Sequence, residues 1–375
     1  MADPFPREVY VAGVGMTAFG RHEGTRSAEL GQEAVAAALA DAGIDYSAVE
    51  IAYCGHVLQG STAGQKVLYG VGMTGIPIFN VENACASGTS AVRAAAMAVG
   101  SGMATVALAV GFEVMGRGAI PTGGDERLAS VGKGGVPPLP ALFANLFREH
   151  AQRYGTTLEQ LAMVSVKNRA YGAKNPRAQY HDAVTIAEVL ASREVAPPLR
   201  LLMCCPTTSG AAAVVLTSAD VARATRRPIR MVASVLQSDP APSAQDSLAG
   251  ITAINTRAMR TAYAQAGIGP DQLDCAEVHD CFAIAEIIHY ENLGLCERGE
   301  GGRFIEHGQA RTRVSTSGGL LAKGHPLGAT GVAQVVEAVE QLRGESGERQ
   351  VPQARLALTH CQGFAGAAGV HIFTS

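Results

Sequence analysis

Residues 39–55 read LADAGIDYSAVEIAYCG, and residues 263–279 read YAQAGIGPDQLDCAEVH. In each, an Ala-containing segment stops at Ala-Gly-Ile, a short polar stretch follows, and an apolar run leads on. That pattern is the end of a helix, a glycine stop and the strand after it. Ala42 and Ala266, Gly43 and Gly267, Ile44 and Ile268, and Ala52 and Ala276 coincide at one spacing. Two further matches follow in the same order. CASGTSAV from Cys85 overlays HPLGATGV from His325, setting Gly88 on Gly328 and Val92 on Val332. ALAVG ending at Gly111 overlays ALTHC ending at Cys361. Three ordered matches imply two similar halves, roughly residues 1–120 and 240–375.

Around these repeats the spacing predicts a strand over 9–14, a helix over 27–42 with Ser27 as its N-cap, and a strand over 51–55. Strand, helix, strand means an α/β chain with a parallel sheet covered by helices. Residues 113–210 change texture. The stretch 116–140 is rich in Gly and Pro, helices are expected over 142–154 and 158–170, Asn175-Pro176 opens a turn, and a buried strand returns at 211–216. The division is then 1–112 plus 211–239 for the first half, 113–210 for an inserted region, and 240–375 for the second half. Long insertions usually carry specificity, and the glycines of 116–135 are expected to order on ligand binding or at a subunit contact.

The chain has 375 residues, 47% of them hydrophobic and 17% charged, enough for two or three core-forming units. Thirty basic against 33 acidic side chains give a net charge of −3, which provides no field for nucleic acid. Eight cysteines are too sparse for a disulfide scaffold. No basic-plus-apolar leader precedes Val9 and no Asn-x-Ser/Thr sequon occurs. The uncharged run 94–112 consists mostly of small residues and is broken by Gly100-Ser101-Gly102. It reads as a helix end followed by a strand over 105–111, not as a membrane span. The expectation is a reducing, cytoplasmic compartment in which every cysteine is a free thiol.

Four places can carry chemistry. Cys85 precedes an Ala-rich helix, whose unpaired N–H groups favour a thiolate, and its small neighbours leave room for a carbonyl. His325 opens Gly-Ala-Thr-Gly before a helix over 332–342 and occupies, through the repeat, the place of Cys85 in the other half. If the halves pack about a twofold axis, the two helix starts meet and a thiol faces an imidazole. His279-Asp280-Cys281-Phe282 follows a strand over 275–278 and precedes a helix over 283–293, where α/β folds place their sites. His360-Cys361-Gln362-Gly363 follows a strand over 356–358, and Gly363 can offer a backbone N–H to an oxyanion. Cys204-Cys205-Pro206 reads as structural, beside the strand at 211. The neighbouring pairs His279/Cys281 and His360/Cys361 lack ligand spacing, so no metal is expected. Residues 70–75 spell G-x-G-x-x-G, but Pro77 and a β-leaning run follow instead of a helix, which excludes a dinucleotide fingerprint.

The motifs NACASG at 83–88, HDCF at 279–282 and GHPLGATG at 324–331 resemble those of the thiolase superfamily. HDCF is similar to the form found in sterol-carrier-protein-type thiolases. The segments 150–170 and 204–213 extend the resemblance over nearly the whole chain. It implies a five-layer αβαβα fold of two duplicated halves with an inserted loop domain. By the same resemblance Cys85 is the acyl-carrying nucleophile. His325 takes its proton and then joins His279 in binding the thioester oxygen. The N–H groups of Cys85 and Gly363 form a second oxyanion hole. The proton-shuttling thiol is Cys281 by the HDCF pattern or Cys361 by the C-x-G pattern; this chain has both, and HDCF favours Cys281.

The implied activity is that of an acetyl-CoA C-acyltransferase, cleaving 3-ketoacyl-CoA or running the Claisen condensation, with coenzyme A as substrate and no prosthetic group. Two alternatives carry different expectations. One is a thiolase-like aldolase acting on CoA-ester side chains with an OB-fold partner, a class that lacks the Cys and His set. The other is a scaffold that binds CoA esters without turnover. The resemblance further implies a homodimer or homotetramer, with an OB-fold accessory chain as an additional partner.

Overall fold

In the computed structural model, residues 5–116, 138–239, 247–309, 311–364 and 366–375 are described. β1 (Val9–Met16) leads to α1 (Ser27–Ala42), whose Leu30, Ala34, Val35, Ala38 and Ala42 are buried at helical spacing. Gly43 ends this helix at φ 65°, the left-handed conformation that glycine takes without a Cβ clash. The N-cap is Arg26, not Ser27: the Glu29 carboxylate accepts the Arg26 N–H at 3.1 Å, so the first turn is closed from inside the helix.

β2 (Ile51–Gly55), α2 (Ala63–Leu68), β3 (Ile78–Val81), α3 (Ser87–Ser101) and β4 (Val106–Glu113) follow. The insertion contributes α4 (Pro138–Tyr154), α5 (Leu158–Gly172), α6 (Ile186–Ala191) and the hairpin β5 (Glu194–Ala196) with β6 (Leu199–Arg200). Pro138 to Pro140 are therefore helical, where a loop was expected. The glycine stretch 116–135 lies, apart from Gly116, outside the described residues. Next come β7 (Gly210–Ser218), α7 (Ala219–Ala222), β8 (Ile229–Ser238), α8 (Ser247–Ala266), β9 (Cys275–Glu277) and α9 (Ala283–Asn292). The chain ends with α10 (Gly301–Glu306), β10 (Arg313–Val314), α11 (Gly319–Ala322), α12 (Thr330–Arg343), β11 (Leu356–Gly363) and β12 (Ala367–Thr374).

The strand order is β10-β9-β11-β12-β8-β1-β7-β4-β2-β3. Read from its centre, it is palindromic: β1 faces β8, β7 faces β12, β4 faces β11, β2 faces β9 and β3 faces β10. Parallel pairs repeat too, Ile51 lying opposite Ala107 in one half and Cys275 opposite Ala357 in the other. The halves join where β1 runs antiparallel to β8, Val9 beside Met231. This order sets β8 opposite β1, in the second half, where the sequence division had put 211–239 with the first.

Strand alternation sorts the side chains into layers. In β4, Val106, Leu108 and Val110 pack with α1 and α2, whereas Ala107 and Ala109 face a central cluster containing α3 and α12. On the far side, Ala276, Leu358 and Val370 pack with α8, α9 and the inserted helices. Three apolar clusters thus fill the spaces between five layers, αβαβα, the central one lying on both faces of α3 and α12. Each fully buried valine of α12, such as Val332 and Val336, contributes about 1.5–3 kcal/mol by leaving water.

Glycine lets the two central helices touch. A Cβ on Gly88 would stand 2.5 Å from the Gly328 oxygen, and one on Gly331 would stand 2.3 Å from the Thr89 nitrogen. The helices begin at Ser87 and Thr330, so Gly88 corresponds to Gly331 in space, three positions from the sequence overlay on Gly328. His325 consequently lies further ahead of its helix than Cys85 does. Among the described residues no helix is long and apolar enough to cross a membrane.

Candidate active site

Cys85 stands on a tight turn between β3 and α3. Ala84, just before it, has φ 49°, a left-handed conformation that costs a non-glycine residue about 1–2 kcal/mol. Side chains hold the turn. Glu82 accepts the Ala84 N–H at 2.7 Å, Ser87 Oγ accepts the Asn83 N–H at 2.9 Å and donates to the Ala84 carbonyl at 2.7 Å. Asn83 Nδ2 then donates to Ser90 Oγ at 2.9 Å. Gly363 backs directly onto this turn, because a Cβ there would lie 2.2 Å from the Asn83 oxygen.

The other half brings three groups to the same point. His279 follows β9, His325 lies on the loop before α12, and Cys361 is in β11. Residues 360–363 lie inside β11, which continues to Gly363 and pairs with β12, a strand the sequence reading did not anticipate. The Cys85 sulfur and one ring nitrogen each of His279 and His325 all lie within 4.8 Å of one another. The two imidazoles meet edge to face, 5.0 Å between centroids. Cys361 Sγ donates to the Cys85 carbonyl at 3.0 Å and lies 3.5 Å from His279 Nδ1. Cys281 is buried beside them, its carbonyl accepting the Cys205 N–H at 2.9 Å. Cys205, read from sequence as structural only, therefore flanks the HDCF loop.

The tautomer of His325 follows from its neighbour. Thr330 Oγ1 donates to the Pro326 carbonyl at 2.9 Å and stands 2.7 Å from His325 Nδ1. With its proton committed, the hydroxyl accepts from Nδ1–H, which leaves a lone pair on Nε2. That Nε2 is buried and has no hydrogen-bond partner among the described residues. It is the free base of the centre.

Burial sets the electrostatics. It pushes the Cys85 thiol up to about 12, a rise opposed by a hydrogen bond from the Phe364 backbone. It drives His279 down to about 3 and His325 well below the usual histidine range. Burial also raises the thiols of Cys205, Cys281 and Cys361. The helix start was expected to favour a thiolate; desolvation outweighs it, and the resting centre is a neutral thiol beside neutral imidazoles. The backbone donors at the sulfur are Phe364 and Cys85 itself.

Three buried polar residues to which the sequence assigned no role keep the loops in register. Gln334 of α12 donates to the carbonyls of Val278 and His360 at 3.0 and 2.9 Å, tying together the strand ends that carry His279 and Cys361. Asp280 accepts from the Leu320 N–H at 2.8 Å and from Asn168 at 2.7 Å, linking HDCF to α11 and the insertion. Burial raises its carboxyl to about 8. Glu113 accepts from the N–H groups of Val57, Leu58 and Gly328 and so fastens the histidine loop to the first half. Its only sequence signal is an acid closing the apolar run of β4. No metal was expected from local spacing; the Cys85–His279–His325 donors come from three separate loops, which spacing cannot see.

Duplicated α/β halves that bring one thiol and two imidazoles to their shared centre define a class, the thiolase-type acyltransferases. Known proteins agree: the thiolase N-terminal domain matches residues 9–136 and the thiolase C-terminal domain-like family matches 237–375. The chain belongs to the thiolase family. It is 40% identical to sterol carrier protein 2 of Bos taurus over 99% of this chain and 73% of that one. To the acetyl-CoA acetyltransferase of Methanothermobacter thermautotrophicus it is 42% identical over 98% of this chain and all of the relative. Among solved structures, the Ltp2-ChsH2(DUF35) aldolase superposes with a TM-score of 0.87 at 27% identity, covering 99% of this chain and 98% of that one.

Proposed function

We propose that the protein is an acetyl-CoA C-acyltransferase that cleaves 3-ketoacyl-CoA with CoA, or condenses two acyl-CoA molecules in reverse, through an acyl-Cys85 intermediate. The observation that carries this reading is the convergence of Cys85, His279 and His325 within 4.8 Å from three distant loops. His325 Nε2, with its lone pair, takes the Cys85 proton as the sulfur attacks the substrate's keto carbon. The oxyanion that forms is held by backbone N–H groups at Cys85 and Gly363. The Cα–Cβ bond then breaks, its electron pair passing into the enolate of acetyl-CoA, whose thioester oxygen is held by His279 and by His325, now carrying the proton. A thiol protonates the enolate carbon. The contacts of Cys361 with Cys85 and His279 support Cys361 in that step; the HDCF pattern supports Cys281. CoA thiol finally displaces the acyl group from Cys85.

Neutral rest suits this sequence: the ion pair is needed only once a substrate fills the desolvated centre. Cys85→Ala is expected to abolish thiolysis of acetoacetyl-CoA and longer 3-ketoacyl-CoA thioesters, followed by loss of the enolate absorbance. Unchanged turnover would remove the nucleophile. The aldolase similarity favours a second reading, catalysis on a CoA-ester side chain with an OB-fold partner. Labelled acyl-CoA separates the two, since an aldolase leaves no acyl group on Cys85. In either case the exposed edge strand β3, with Phe79 on the surface, supports pairing with another copy of the chain. The eight free cysteines support a reducing, cytoplasmic location.

A further inference from the structure

We propose that Cys85, His279 and His325 also form a zinc site, and that zinc and acyl-CoA compete for it. The donor set is one sulfur and two imidazole nitrogens, the borderline-soft combination that zinc selects over magnesium or calcium. All three donors lie within 4.8 Å of one another. A tetrahedral zinc, with bonds of about 2.3 Å to sulfur and about 2.0–2.1 Å to nitrogen, needs them roughly 3.5 Å apart. Closing by at most about 1.3 Å (4.8 minus 3.5) is within the reach of side-chain torsions and of the histidine loop, where Gly324 has φ 115°.

Two observations set this trio apart from a chance meeting of side chains. The Nε2 of His325 is buried and, among the described residues, unpartnered, with its lone pair free. Each ring has an acceptor for the proton on its other nitrogen: Thr330 Oγ1 at 2.7 Å from His325 Nδ1 and Cys361 Sγ at 3.5 Å from His279 Nδ1. Zinc-bound histidines require such partners to fix tautomer and orientation.

Three protein ligands leave the fourth position for water, as in open zinc sites. The exchange balances without redox chemistry. Zinc accepts electron pairs from the Cys85 sulfur and the two imidazoles, and the thiol proton leaves to buffer. Nucleophile and base are then both occupied, so the bound form is inactive and a chelator restores it. The His279 tautomer divides the two uses. Metal binding needs the Nε2 lone pair with Nδ1–H toward Cys361, whereas holding a thioester oxygen needs the proton on Nε2.

The test uses the metal-free full chain and zinc itself, and it reads binding apart from turnover. Iodoacetamide labelling of Cys85, followed by peptide mass spectrometry, should slow at least roughly tenfold at one equivalent of zinc. A chelator should reverse this, and excess acetoacetyl-CoA should release the bound zinc at equilibrium dialysis. His325→Gln and His279→Asn should each lose the protection, read as the ratio of labelling rates with and without zinc within each variant, and Cys85→Ser should lower bound zinc at equilibrium dialysis by one equivalent. Labelling that zinc never slows, or zinc stoichiometry unchanged in Cys85→Ser and His325→Gln, overturns the proposal. Loss of thiolase activity as a reading would leave these binding results untouched.

Discussion

The two helices at the centre of the molecule occupy matching places and work differently. α3 is apolar for most of its length; the side-chain contacts that serve the centre sit in its first turn, where Ser87, Ser90 and Thr89 serve the Cys85 turn and His371. α12 carries Gln334, Glu337 and Gln341, one face of the helix at i, i+3 and i+7, all buried. Gln334 ties β9 to β11; Gln341 donates to the Arg349 carbonyl at 2.8 Å and accepts the Val351 N–H at 2.8 Å. Glu337 sits in a buried charge cluster, 2.7 Å from Arg349, 3.8 Å from Lys323 and 3.0 Å from Asn175. Lys323 is two residues from His325. The first half supplies one reactive group, on a turn that its own side chains close. The second supplies three groups from two loops and a strand, and those need a shared clamp.

That contrast breaks first at Glu337. Glu337→Gln leaves Lys323 and Arg349 buried without their carboxylate, and unfolding in urea should show a loss of about 3–5 kcal/mol. A loss no greater than that of a substitution in α3 would end the idea of a clamp. The same group gives a pH signature. Burial would raise its carboxyl, but Lys323, Arg349 and Arg177 prevail and hold it at about 2, against 4.5 in the open chain. A carboxylate held below its unfolded value stabilises the fold above pH 4.5 and loses that contribution as pH falls toward 2, about 3 kcal/mol in all. In Glu337→Gln, thermal midpoints should be correspondingly flatter across that window.

Gln334→Met tests registration apart from stability. Freed strand ends displace His279 relative to Cys361, so kcat should fall about tenfold to a hundredfold with KM nearly constant. An unchanged kcat would assign Gln334 to packing alone. The smallest effect belongs to α3. Ser90→Ala removes one hydrogen bond from Asn83 and should cost about 1 kcal/mol in thermal unfolding.

Much of this architecture is written locally. The glycine stops at Gly43 and Gly267, the repeated strand starts and the apolar runs of β2 and β4 depend on backbone preference and period, which a short window contains. The candidate residues of the centre were legible for the same reason: Cys85, His279, Cys281, His325 and Cys361 stand in short motifs at strand ends and helix starts. β12 was not, because its Gly-rich text, Ala-Ala-Gly-Val-His, carries a weak strand signal and gains its strand from pairing with β8 and β11.

Sequence alone thus determined the repeat, the α/β order and which side chains could react. Tertiary structure decided their charge state and their company. Desolvation depends on everything packed around a group, so a cysteine beside a helix start became a neutral thiol near 12. Gln334, Glu337 and Gln341 read in isolation as the watered face of an amphipathic helix. Only the closing of two half-sheets over that face turned it into the polar interior that holds the centre together.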